Sequence, residues 1–190
     1  MDRRQRIANA GIALIARGGT HRLTHRAVDT EAGLPNGSTS YYARSRRDLI
    51  RLVMEQLSAE SQADLTDIEV PGKLTVRQAT DLVGRLAERL ILNGDAQAAR
   101  FALMFEVRDD DELRRELTVD APVRRSFDEK AVELLRALGA ADPEEKAPEF
   151  VALVDAVLMY RAVDAAPIDP AGVVETYLDG LVRRKPTAAL

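Results

Sequence analysis

The chain has 190 residues, 46% of them apolar, and no cysteine. Disulfides, thiol catalysis and cysteine-ligated zinc are thereby excluded, and no run of 18 apolar residues offers a membrane span. The net charge of −4 conceals an asymmetry: residues 1–51 hold ten arginines against four acids (Asp2, Asp29, Glu31, Asp48), a net of +6, while the remainder nets −10. A basic head on an acidic body suits a protein that meets a polyanion; a solvated basic face with no partner explains the charge equally well. The first residues, MDRRQRIANAG, contain no apolar stretch ending in a cleavage site, so no signal peptide and a cytoplasmic location are expected.

In chain order, residues 3–17 set Ile7, Ala8, Gly11, Ile12, Leu14 and Ile15 on one side of a helix that Gly18-Gly19 stops. Thr24 is placed to cap a short helix to about Ala32, ended by Gly33. A brief helix is expected from Pro35–Gly37 to Tyr42. Ser45 and Asp48 then form a capping-box pattern, opening a long helix to about Asp64–Thr66. Pro71-Gly72 is the clearest break. Helical spacing resumes at Ala79, Leu82, Val83, Leu86 and Leu90, ends at Asn93-Gly94, and returns over 96–108, over the charged DDDELRREL and over 122–138. Asp142-Pro143 and Asp169-Pro170 each place an acidic cap before a proline at the first helical position. The first opens a helix containing FVALVDAVLMY, apolar nearly all round, and the second opens one with Val173, Val174, Tyr177, Leu178, Leu181 and Val182. No window alternates as a strand, so eight to ten helices make the fold all-α, and the last five or six residues are expected to fray.

Residues 24–42 thus hold two short helices joined by a tight turn at Gly33–Pro35. Helices this short are not stable alone and must pack on neighbours, leaving a face free. In a helix-turn-helix the second helix enters the major groove by its N-terminal end. Asn36, Ser38, Thr39 and Ser40 are short hydrogen-bonders, Gly37 lets backbone approach closely, and Tyr41 and Tyr42 offer hydroxyls to phosphates and rings to thymine methyls. Arg44, Arg46 and Arg47 stand where phosphates would pass. Bland readings accompany each: Thr24 as a cap only, His21 and His25 as exposed helix-end residues, Tyr41 as core, Arg26 and Arg47 as solvated charges.

The stretch RIANAGIALIARGGTHRLTHRAVDTEAGLPNGSTSYYARSRRDLI resembles the head of the TetR family of bacterial transcriptional regulators. An opening helix ends at a Gly pair, a Leu-Thr start and an Ala-Gly turn follow, then a Gly-Ser/Thr-x-x-Tyr recognition helix and a Ser-Arg/Lys-x-x-Leu entry to the connecting helix. The resemblance is close over about the first 50 residues and lies in layout beyond. It implies a helix-turn-helix DNA-binding domain at 1–50, a connecting helix at about 45–66, and a helical ligand-binding and dimerisation domain at 51–185. By position, Thr24 and His25 resemble the family's backbone contacts, and Arg26 a base or phosphate contact. Asn36, Gly37 and Ser38 fall where the recognition helix meets bases, Tyr41 and Tyr42 at its aromatic contacts, and Arg46 at its phosphate-binding cation. Two departures stand out. Ser40 replaces the usual first tyrosine, and Ala43 replaces a phenylalanine that packs under the recognition helix, a space one of the tyrosines would have to fill.

In the body, the 150–160 helix is apolar on too many sides for a surface helix. One face is read as core and another as a partner subunit, with Val154, Val157, Leu158, Val174, Tyr177, Leu178 and Leu181 as interface candidates; a monomer with a central helix is the alternative. Phe101, Met104, Phe105, Phe127, Met159 and Tyr160 are pocket candidates, with Asp155, Arg100 and Arg161 as polar groups, although each is also a plausible core residue. The implied partners are a double-stranded DNA operator, a second copy of the chain and an unidentified small-molecule effector, with no membrane, metal or cofactor. The resulting expectation is a homodimeric repressor released from a palindromic operator by ligand. Two alternatives remain. A helical adaptor would bind protein through the same head. A helical enzyme lacks a His pair, a phosphate loop or a nucleophile elbow.

Overall fold

In the computed structural model, which describes residues 1–183, every regular element among the described residues is helical. The fraying expected for the last residues lies outside the described residues. The elements are α1 (Arg3–Gly18), a 3-10 turn (Thr20–Arg22), α2 (His25–Glu31), α3 (Ser38–Tyr42), α4 (Arg46–Thr66), α5 (Val76–Leu92), α6 (Gly94–Glu106), α7 (Asp111–Leu117), α8 (Pro122–Leu138), α9 (Pro143–Ala162) and α10 (Pro170–Arg183). No helix is long and apolar enough to cross a membrane.

The chain divides into two compact units. The first comprises residues 1–62 and 93–123, the second residues 63–92 and 124 onward.

In the first unit, α1 packs on α2 and α6. Its stripe of Ile7, Ile12 and Ile15 joins Leu23, Val28, Leu49, Leu52, Val53, Ala99 and Leu103 in one core. Each isoleucine, leucine or valine side chain withdrawn from water stabilises by about 1.5–3 kcal/mol. Gly11 is required at the α1–α4 crossing, because a Cβ there would lie 2.5 Å from Val53 Cγ2. Asp2 and Gln5 close a capping box at the start of α1. A second reciprocal pair opens α4, where the Ser45 N–H donates to Asp48 Oδ2 at 3.0 Å and the Asp48 N–H to Ser45 Oγ at 3.1 Å. Gly19, at φ +80°, ends α1 in a conformation that side chains other than glycine's resist.

In the second unit, α5 packs on α9 and α10. Leu82, Val83, Leu134, Leu135, Phe150, Val151, Val174 and Leu178 form its core, and Phe150 stacks on Tyr177 with ring centroids 5.8 Å apart. Two expected boundaries differ. Asn93-Gly94 separates α5 from α6 by a single residue, so α6 begins at Gly94 rather than near 96. Asp142 takes a left-handed backbone (φ 52°) and its side chain makes no cap. Pro143 at the first helical position, with φ fixed in advance, opens α9 without it. Asp169 does cap, with Oδ1 accepting the Ala171 N–H at 3.1 Å.

Candidate nucleic-acid interface

The head places α2 and α3 around a turn that three interactions hold. Thr24 Oγ1 accepts the Ala27 N–H at 3.2 Å, so the cap expected of Thr24 starts α2. At the other end, Arg6 reaches from α1 and donates to the Ala32 carbonyl at 2.6 Å, satisfying a helix-terminal acceptor. Between them lies Asp29, 1% exposed, whose carboxylate receives the N–H groups of Gly37 and Thr39, both at 2.7 Å, and the Thr39 hydroxyl at 2.6 Å. Burial pushes the Asp29 pKa up, but these hydrogen bonds and the nearby His25 outweigh it and hold the group below its ordinary value. Gly37, at φ +91°, turns the chain into α3.

Around this pin, Asn36, Gly37, Ser40, Tyr41 and Tyr42 are exposed, while Thr39 is fully buried. Ser38 is half-buried and its hydroxyl donates to the Pro35 carbonyl at 2.6 Å, closing the turn. Neither tyrosine fills the space over Ala43. Tyr41 is 84% and Tyr42 38% exposed, edge to face with centroids 5.2 Å apart. Ala43 is nonetheless buried, and the half-buried His25 imidazole donates from Nε2 to its carbonyl at 2.8 Å. The expectation of His25 as an exposed helix-end residue is therefore corrected: it ties the start of α2 to the end of α3.

The arginines divide into two sets. Arg17 pairs with Glu31, and Arg4 with Glu55. Arg47 grips Asp110 with two hydrogen bonds, at 2.9 and 3.1 Å, and also meets Glu112; Arg51 grips Glu116 in the same way. These forked pairs hold Asp110 down to about 2 and Glu116 below its usual range, the arginine hydrogen bond being the main cause in each. Arg46 donates to the carbonyls of Leu23 (2.7 Å) and Thr20 (2.9 Å) and to Glu106 (2.8 Å), and Glu106 also accepts the Thr20 hydroxyl. Among the described residues, Arg22, Arg26 and Arg44 are exposed with no carboxylate partner. Half of the ten arginines in residues 1–51 are thus neutralised within the first unit, a division that depends on pairing across long sequence separations.

The residues singled out in the body are distributed over both units. On α6, Phe101 is buried beneath the Arg100 guanidinium at 4.3 Å, Met104 is 38% exposed and Phe105 68% exposed. In the second unit Phe127 and Met159 are half-buried and Tyr160 is 44% exposed. Of the interface candidates, Val157, Leu158, Val174, Leu178 and Leu181 are buried within the single chain, and Val154 and Tyr177 are half-buried. The large apolar side chains that α9 and α10 leave exposed are Tyr160 and Val182. Sequence reasoning missed Asp29 and Arg6, and it grouped Thr39 with the hydrogen-bonders open to DNA, whereas Thr39 is buried with both its donors on Asp29. The available signal was an acid beside Val28 on the inward side of a very short helix.

Residues 74–184 match the family model described as tetracyclin repressor-like, C-terminal domain, which is more than half of the chain. The chain belongs to the TetR family. It is a DNA-binding transcriptional regulator of that family by class. A TetR-family member from Streptomyces coelicolor A3 is 24% identical, with a TM-score of 0.69 over 97% of this chain and 100% of that one. A transcriptional regulator from Rhodococcus sp. Rha1 shares the fold at 14% identity, with a TM-score of 0.78 over 96% and 97% of the two chains. The multidrug binding protein EbrR, complexed with proflavin, is 26% identical, with a TM-score of 0.59 over 95% and 99%. No curated protein matched the chain.

Proposed function

We propose that this TetR-family chain is a homodimeric repressor that binds a palindromic operator and is released from it by a small molecule. The observation that carries the reading is the head: an exposed α3 N-terminus flanked by unpaired Arg22, Arg26 and Arg44 and backed by a fully packed core. Residues 1–50 read DNA in this account, and residues 51–185 bind ligand and a second copy. Asn36, Gly37 and Tyr41 face bases. Thr24, Arg26, Tyr42 and Arg46 lie toward phosphates, and Ser38 and His25 shape the surface they share. Support for a flat, aromatic or cationic effector class comes from EbrR, whose structures hold proflavin and ethidium.

Dimerisation follows from the operator's symmetry, since two heads on a palindrome must stand about 34–36 Å apart, one DNA turn. The ligand acts only to the extent that it prefers the released state over the bound one. Selection from a random duplex library tests the proposal. Recovery of a palindrome, with affinity that falls steeply as salt rises, is expected. Recovery of no sequence, with a flat salt response, would refute it.

A further inference from the structure

We infer that Asp29 is a positioning residue for sequence readout: its buried carboxylate sets where the first turn of α3 stands, and so where Asn36, Gly37 and Tyr41 point. The inference rests on the DNA-binding reading above. α3 has five residues, too few to hold a helical segment in place by its own hydrogen bonds. Asp29 supplies what is missing. Oδ1 takes both donors of Thr39, its N–H at 2.7 Å and its hydroxyl at 2.6 Å, and Oδ2 takes the Gly37 N–H at 2.7 Å. Its backbone carbonyl also accepts the Leu34 N–H at 2.8 Å. One residue of α2 therefore fixes the chain at 34, 37 and 39.

An apolar pair at 29 and 39 would fill the same space without desolvating a carboxylate. What the polar pair adds is direction, because hydrogen bonds fix distance and angle where apolar packing permits sliding and rotation. Phosphate contacts carry no sequence information, whereas base-edge contacts read it. Loosening the pin should therefore erode discrimination between sequences and spare electrostatic attachment to DNA.

The test uses the full chain with two probes: the duplex recovered by random selection and a scrambled duplex of equal length. Asp29→Asn puts an amide where three donors converge, and Thr39→Val removes one hydroxyl bond at nearly constant volume. Each is expected to weaken binding to the selected duplex about tenfold or more. Binding to the scrambled duplex and the salt slope should stay at wild-type values. Thr39→Ser retains the hydroxyl and should remain within about twofold of wild type on both probes. Should Asp29→Asn fail to fold, the Val and Ser variants at position 39 still decide the matter. Equal losses on both duplexes, or no loss, would overturn the assignment alone. A wild-type chain that binds neither duplex would overturn the DNA-binding reading and this assignment with it.

Discussion

The Arg46 guanidinium meets the Glu106 carboxylate at 2.8 Å across 60 residues of sequence, while its other donors hold the carbonyls of Thr20 and Leu23. The arginine nearest in pattern to a phosphate clamp is thus also a staple between the loop before α2 and the end of α6. Glu106 offers it the charge that a phosphate would. Glu106→Gln retains an acceptor and removes that competitor. DNA affinity at fixed salt is expected to rise, and the log–log salt slope to steepen by about 0.9, the increment for one further phosphate contact. Fluorescence anisotropy titrations at several salt concentrations would read both quantities, and an unchanged slope would leave Arg46 as a staple only.

The unpaired arginines should carry the salt dependence. Arg26→Ala and Arg44→Ala are each expected to weaken binding to all duplexes and to flatten the slope by about 0.9. Arg17→Ala serves as the control. Its guanidinium lies 2.6 Å from Glu31 and its charge is already matched, so the slope should not move.

Packing at the α1–α4 crossing sets a limit on stability. A Cβ on Gly11 would overlap Val53, and Gly11→Ala should cost about 1–3 kcal/mol. Leu49→Ala, which empties a site with 0% exposure, should cost about 2–5 kcal/mol. Urea unfolding followed by circular dichroism measures both.

Acid should loosen the first unit. Hydrogen bonds hold the carboxyls of Asp29, Glu106, Asp110 and Glu116 below their ordinary values, Asp110 at about 2. Carboxylates depressed in the folded state contribute their full stability above the unfolded pKa. They lose it as pH falls through the folded value. Stability is therefore expected to be flat above about pH 5 and to decline from about pH 4 toward pH 2. Asp110→Asn should make that decline shallower, which thermal melts across the pH range would register.

The proposed dimer can be tested without breaking the core. Val182 is 43% exposed and Tyr160 44%, so an aspartate at either should leave the protomer folded. Val182→Asp and Tyr160→Asp are each expected to shift sedimentation from dimer to monomer and to reduce operator affinity. Leu178→Asp, at 0% exposure, should unfold the chain instead.

Much of the helical order was legible in local signals. The Gly18-Gly19 stop, the Thr24 cap, the Ser45–Asp48 box and the proline starts at 143 and 170 act within a few residues, where spacing and composition are informative. Asp142 shows the limit even there. Its type suits a cap, but its backbone turned left-handed, and the proline alone opened the helix.

Hydrophobic periodicity, turn residues and capping chemistry were enough to specify an all-helical chain with a helix-turn-helix near its start. They act between near neighbours, and physical chemistry at that range does not depend on how the rest of the chain folds. Which arginines stay free, that His25 ties the start of α2 to Ala43, and that Asp29 pins α3 were decided by partners 10 to 86 residues away. A charged or polar side chain takes its role from the group opposite it, and only the folded chain brings that group into reach.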